Sequence, residues 1–200
     1  MAEQVTVDVA IVGGGIMGAS AALFLRRLGY SVLLLEASLC GSKASGVNYG
    51  GVRRQGRQLV QLPLSQRAHA LWQDIRRLAG IDGEYVRSGH LKLARTAADM
   101  DELEHYRQLS QDFDLDLRML AGSDFRRRFP WLGNEVIGGS LCPDDGHANP
   151  RLVSPALAQA ARAAGADIRE QTRVLQAGHS DGAFSSCLCT WLARPCLALA

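Results

Sequence analysis

Long apolar runs, a strong charge of either sign and an abundance of aromatic residues are all missing from this chain of 200 residues. The apolar stretch nearest the start, Val9–Val12, is far too short to cross a bilayer or to form the core of a signal peptide, and Met1–Asp8 puts no basic segment before it. No membrane span or secretory leader is therefore expected, and a cytoplasmic location is. A formal charge of +2 is too small to argue for nucleic acid or a membrane surface as a partner. The five cysteines, at 40, 142, 187, 189 and 196, include no CxxC pair and have no histidine pairing, so neither a disulfide framework nor a metal site is expected. What remains is 47% hydrophobic, enough for a sizeable core in one domain, or one domain and part of a second.

The organising stretch is Val5–Glu36. Val9–Val12 has the length and β-branching of a buried parallel strand. Gly13-x-Gly15-x-x-Gly18 follows at once. Next comes a helical stretch with Ala21, Ala22, Leu25 and Leu28 at 3.6-residue spacing, a stop at Gly29 and a second apolar strand, Ser31–Leu35, closed by Glu36. This is a dinucleotide fingerprint in its full context. Gly13 permits the tight strand-to-helix turn, Gly15 lets backbone approach a pyrophosphate, and Gly18 lets the helix pack closely. The helix start, with Ile16 and Met17, presents N–H groups to the phosphates. Glu36, with Ala37 beside it, can accept hydrogen bonds from ribose hydroxyls and repels a 2′-phosphate, so FAD or NAD is expected rather than NADP.

The next segment discriminates between them. Ala37–Arg54 is rich in glycine and serine, where an NAD-binding domain would run into another crossover and a third strand. Together VAIVGGGIMGASAALFLRRLGYSVLLLE and ASGVNYGGVR resemble the D-amino acid oxidase-like family of FAD-dependent oxidoreductases, over roughly residues 5–184. The resemblance implies FAD as cofactor. It puts Glu36 on the ribose, Ser45, Gly46, Asn48, Gly50 and Gly51 along the pyrophosphate and flavin ring, and Val174 beside the adenine. It also implies oxidation of a C–N bond in a small amine or amino acid. Arg53 opens the one basic cluster, Arg53-Arg54-Gln55-Gly56-Arg57, which reads either as a solvated face or, at Arg53, as a partner for a substrate carboxylate.

Further along, Pro63–Ala79 is expected as one helix with Leu64, Ala68, Leu71, Ile75 and Leu78 on its apolar face. Tyr85–Ala94 reads as a hairpin around Ser88-Gly89, with His90 structural or solvent-facing. Thr96–Asp112 and Ser123–Leu132 read as helices, the arginines at 126–128 forming an exposed face. Val136–Leu141 is a strand, Leu152–Ala164 a helix, and Ala166–Arg169 and Val174–Gln176 short strands. His147 lies in the turn before that helix, where capping chemistry and an approach to the substrate pocket both account for it.

The fold class expected is α/β: an incomplete Rossmann-like FAD-binding domain over 1–78 and 136–183, with the first segment of an α+β substrate domain over 79–135. Residues 184–200, which hold three of the five cysteines, change composition abruptly and are expected to form an aberrant apolar tail on a truncated chain. No acid–base pair or triad stands out, and no catalytic residue is assigned. This suits flavin chemistry, in which the cofactor does the difficult step. A non-catalytic FAD-binding fragment and an NAD-dependent dehydrogenase are the alternatives. The partner expected is a small amine or amino acid; the sequence leaves the oligomeric state open.

Overall fold

The computed structural model describes residues 4–180, 183–190 and 197–199. Along the chain, β1 is Gln4–Val5, β2 Val9–Val12, α1 Ile16–Arg27, β3 Val32–Leu35, β4 Gly51–Val52, α2 Leu62–Gln73 and α3 Ile75–Ala79. There follow β5 (His90–Ala94), α4 (Ala97–Leu109), β6 (Arg118–Ala121), α5 (Gly122–Arg128), β7 (Gly138–Cys142) and β8 (Gly146–His147). The chain continues with α6 (Pro150–Ala163), β9 (Asp167–Arg169), β10 (Thr172–Ser180), β11 (Ala183–Thr190) and β12 (Leu197–Leu199). No helix among the described residues is long and apolar enough to cross a membrane.

Two compact units divide the chain: residues 1–49, 75–83 and 149–200 form one, and residues 50–74 and 84–148 the other. The first holds a parallel sheet in the order β2-β3-β9 and a second sheet in the order β1-β12-β11-β10. β3 is the central strand of the parallel sheet and is buried along its whole length, so its run Val32-Leu33-Leu34-Leu35 has no polar alternation. Leu33 and Leu35 anchor a cluster completed by Val5, Val7 and Val174. α1 packs against α6, and the Arg26 Nε donates to the Ala164 carbonyl at 3.1 Å. α6 starts on Asn149, whose side chain accepts the Arg151 N–H at 3.0 Å, with Pro150 in the first turn where its missing N–H costs nothing.

The second unit holds the antiparallel sheet β5-β7-β6 and the short pair β4-β8. Leu62, Leu115, Leu117 and Cys142 form its core cluster, with Tyr106 and Phe113 packed around it. Thr96 caps α4 in a reciprocal box with Asp99, which satisfies two otherwise orphaned N–H groups.

Several expectations are corrected. The buried face of α1 runs through Ala19, Ala22 and Leu23, while Leu28 is 74% exposed. The close contact of Gly18 with the preceding turn sets this roll, and Ala22 lies four residues beyond it on the same face. The single helix over 63–79 is broken at Asp74 (φ −105°, ψ 18°). Leu64 is 73% exposed, whereas Ile75, Leu78 and Ala79 are buried in the first unit, where α3 packs on α6. Tyr85–Ala94 is no local hairpin: β5 pairs with β7 (His90 opposite Cys142), and Val86 bridges to His147. Of the three arginines of α5, Arg127 and Arg128 are exposed as expected, while Arg126 turns back to donate to the carbonyls of Gly133, Asn134 and Val136.

The unit bounds also differ from 1–78, 79–135 and 136–183. β7 lies between β5 and β6, which puts residues 138–142 in the second unit, and α3 lies in the first. The segment expected as a tail contributes β11, antiparallel to β10 from Thr172–Thr190 to Ser180–Ala183, and β12. The part of that segment from Trp191 to Cys196, and Ala200, lie outside the described residues.

Candidate functional site

The turn between β2 and α1 is built so tightly that side chains are excluded from it. Gly13 has φ +103°, and its N–H continues the strand ladder to the Leu35 carbonyl at 2.8 Å. A Cβ on Gly18 would land on the Gly13 carbonyl oxygen and press Ile11 of β2 at 3.3 Å. Gly14, which sequence reasoning passed over, is equally enclosed: a Cβ there would meet the Cys40 sulfur at 2.5 Å and the Glu36 Cβ at 3.1 Å. α1 begins at Gly15 with no side-chain cap at that position and no acid in its first turn, so no charge of the helix itself opposes an anion at its start.

Glu36 ends β3 and reaches back to this turn. Its Oε2 accepts the Gly14 N–H at 2.6 Å, and its Oε1 accepts the Ser38 N–H at 2.7 Å. Each carboxylate oxygen has a second acceptor position, so the side chain is held in place while keeping capacity for a ligand hydroxyl. A cleft of about 320 Å³ opens beside it, lined by Val12, Gly13, Leu35, Glu36, Ala37, Thr172, Arg173 and Val174. Four residues singled out in the sequence, Gly13, Glu36, Ala37 and Val174, are thus brought together. Thr172 and Arg173 join them through the β9–β10 connection, a partner that no local pattern announces.

A second cleft, of about 150 Å³, shares Glu36 and is lined by Gly15, Leu39, Gly41, Lys43, Ala44 and Ser45. Ser45 closes over the turn: its Oγ accepts the Ile16 N–H at 3.0 Å and would lie 2.8 Å from a Cβ on Gly15. Gly46 turns the loop against the Gly41 carbonyl, where a Cβ would collide. The Asn48 amide is committed to its own loop, donating to the Ala44 and Ser45 carbonyls at 3.1 and 2.9 Å. Met17 is 81% exposed, so in this structure the Met17 side chain is no wall of the turn. Gly50 (φ +70°) and Gly51 belong to the second unit, where Gly51 opens β4 opposite His147.

The basic cluster is a solvated face only in part: Arg57 is exposed, and the residues before Gly56 turn inward. Arg54 is 4% exposed and Gln55 fully buried. Both hang on Asp145, also fully buried, whose two oxygens accept the Arg54 and Gln55 N–H groups at 2.9 Å each. Arg53 is half-buried and donates to the Gln55 carbonyl at 2.7 Å. The Gln55 Nε2 donates to the Ser140 carbonyl at 3.0 Å, so its Oε1 faces His90 and the His90 Nδ1, 3.1 Å away, carries the proton. His147 is exposed and meets the Ser88 hydroxyl at 3.0 Å; the α6 cap is Asn149.

Burial, then the charge of Arg53, pushes the His90 pKa below the ordinary 6.5. Between that lowered value and 6.5 the unfolded chain binds a proton that the folded one does not. Stability therefore rises with pH through this window and falls on acidification. Thermal unfolding from pH 7 to 5 should show a falling Tm that His90→Gln flattens; identical profiles for the two proteins would remove His90 as the cause.

A glycine turn between a parallel strand and a helix, with an acid at the end of the next strand, defines a dinucleotide-binding α/β protein. Residues 8–186 match the family model described as FAD dependent oxidoreductase (DAO), and the chain belongs to that family. It is 33% identical over 175 residues to a glycine oxidase of Geobacillus kaustophilus, covering 84% of this chain and 46% of that protein. It is 32% identical over 170 residues to a 4-methylaminobutanoate oxidase (formaldehyde-forming) of Paenarthrobacter nicotinovorans, covering 84% of this chain and 21% of that one. The crystal structure of glycine oxidase from Geobacillus kaustophilus superposes with a TM-score of 0.80 at 30% identity, over 92% of this chain and 51% of that chain. The chain thus spans about half the length of the glycine oxidase that it matches.

Proposed function

We propose that this chain carries the FAD-binding part of an oxidoreductase that oxidises the C–N bond of a small amine or amino acid. The observation that carries the reading is the cleft shared by Gly13, Glu36, Ala37 and Val174, whose carboxylate is held by the Gly14 N–H. The residues present suit FAD: Glu36 receives the ribose hydroxyls, the N–H groups at the start of α1 receive the pyrophosphate, and Val174 and Ala37 border the adenine. Ser45, Gly46, Asn48, Gly50 and Gly51 supply backbone along the pyrophosphate and ring, as does the backbone of Ile16 and Met17. When bound, the flavin supplies a hydride acceptor for the substrate carbon. The guanidinium of Arg53 would hold the substrate carboxylate through paired N–H donors. The same reading keeps the expected cytoplasmic location, which cell fractionation tests.

Titration of the purified chain with FAD, followed by quenching of flavin fluorescence, tests the cofactor. Binding of FAD should exceed binding of NADP by at least tenfold, because the Glu36 charge opposes a 2′-phosphate. Glu36→Ala should weaken FAD binding about tenfold or more, since it removes the ribose acceptor and leaves the Gly14 and Ser38 N–H groups without theirs. Equal binding by wild type and Glu36→Ala would overturn the assignment. Anaerobic addition of glycine, sarcosine and D-amino acids to the FAD-loaded chain then tests the reaction. Bleaching of the flavin bands supports turnover; bound flavin that no amine bleaches favours the non-catalytic reading, which the half-length match to the glycine oxidase makes the second candidate.

A further inference from the structure

We infer that Glu170, with Arg162 as its counter-ion, is a positioning residue for the nucleotide cleft, acting through the turn that follows Glu36. The inference rests on the FAD reading and assigns to it a residue that lines neither cleft and whose carbonyl accepts the Thr172 hydroxyl at 3.1 Å. Glu170 sits at the β9–β10 junction. Its Oε1 accepts the Cys40 N–H at 2.6 Å, and its Oε2 receives the Arg162 Nη2 of α6 at 3.0 Å. Both side chains are about seven-tenths buried (30% and 27% exposed), so the pair is shielded from solvent competition.

The same junction is stitched to the same turn three more times. The Glu36 N–H donates to the Arg169 carbonyl at 2.9 Å, the Gln171 N–H to the Ser38 carbonyl at 2.8 Å, and the Thr172 N–H to the Glu36 carbonyl at 2.8 Å. Glu170 supplies the one side-chain anchor in this set, and it holds the residue that matters most for the glycine turn. Cys40 is 5% exposed, with its sulfur against Gly14, whose N–H in turn is held by Glu36. The line of contact therefore runs Arg162, Glu170, Cys40, Gly14, Glu36. A shift at its far end displaces the carboxylate at the cleft. The thiol is a spacer here and no nucleophile: burial first, then the Glu170 charge, pushes the Cys40 pKa up to about 12.

Removing Glu170 leaves the Cys40 N–H without its acceptor and the Arg162 guanidinium without its counter-ion, with the Ile168 carbonyl at 3.4 Å as its remaining acceptor, and the turn loses its anchor. Glu170→Ala should weaken FAD binding about tenfold. Glu170→Gln keeps an oxygen for the Cys40 N–H and should recover most of that loss, to within about threefold of wild type. Arg162→Ala should lower affinity as well, and Glu170→Ala/Arg162→Ala should cost less than the product of the two single effects, because the pair acts as a unit. The measurements are the FAD dissociation constant by fluorescence quenching and amide hydrogen exchange at Ser38–Cys40 without FAD, which should quicken in Glu170→Ala and recover in Glu170→Gln.

Each outcome bears on a separate statement. A wild-type chain that takes up no FAD overturns both the cofactor reading and this one. A wild-type chain that binds FAD, with Glu170→Ala binding equally well, overturns this inference alone. Should Glu170→Ala fail to fold, the Arg162→Ala and Glu170→Gln dissociation constants decide: a loss in the first larger than in the second supports the positioning role, and wild-type affinity in both overturns it.

Discussion

Gly18→Ala is expected to abolish measurable FAD binding and to destabilise the chain by about 3 kcal/mol, the upper end of the usual cost of overpacking. The added methyl meets backbone, the Gly13 carbonyl oxygen, which no rotamer change can move aside. Relief requires α1 to lift from β2, and that shift carries away the N–H groups at the helix start together with the contact to Ile11. Denaturant unfolding gives the stability and flavin fluorescence the affinity. Gly51→Ala is the control: a Cβ there meets nothing within 4 Å and the backbone needs no positive φ, so its stability should stay within about 0.5 kcal/mol of wild type. A Gly18→Ala protein that binds FAD like wild type would show that the turn is looser than its geometry states.

The second large effect is expected at a residue that no motif marks. Asp145→Ala should cost about 3–5 kcal/mol, the range for breaking a buried charge pair from one side. Asp145 accepts the N–H groups of Arg54 and Gln55, and its Oδ1 lies 3.6 Å from the Arg54 Nε, which has no hydrogen-bond partner of its own. Deleting the carboxylate strands two buried N–H groups and leaves the Arg54 charge with the more distant Asp144 (3.7 Å), the amide of Gln66 and the Asp114 carbonyl at 3.5 Å. Asp145→Asn should fall between the two, because one of its two terminal groups is a donor facing a donor. The effect should appear in the denaturant midpoint. A loss below about 1 kcal/mol would mean that water enters to replace the carboxylate. Gln55 carries the consequence further, since its side chain joins Ser140 and His90 to the same centre; the pH profile of His90 should shift in Asp145→Asn as well.

What could be read from the sequence alone was local. The strand, glycine turn and helix of residues 9–27 and the strand ending at Glu36 depend on neighbours within a few positions: β-branched runs, a 3.6-residue period and a glycine that alone tolerates φ +103°. The family followed from those residues and the Ser45–Gly51 loop, because close approach of backbone to a flat ligand restricts residue type whatever the rest of the chain does. The rest was decided by partners far away in sequence. The apolar spacing over 63–79 suits one helix, yet the chain bends at Asp74 because Ile75 and Leu78 find their core against α6. The Asp144-Asp145-Gly146 stretch is wholly polar in its side chains, yet Asp145 is fully buried because it meets donors 90 and 91 residues earlier. Cys40 and Glu170 are 130 residues apart, and only the meeting of the β9–β10 junction with the turn after β3 puts a carboxylate on that amide. Residue type and period dictate which segments can form and which ligand a turn will admit. Which buried polar group satisfies which is set by the closure of the sheets, since each such pairing competes with water and survives only where tertiary contacts exclude it.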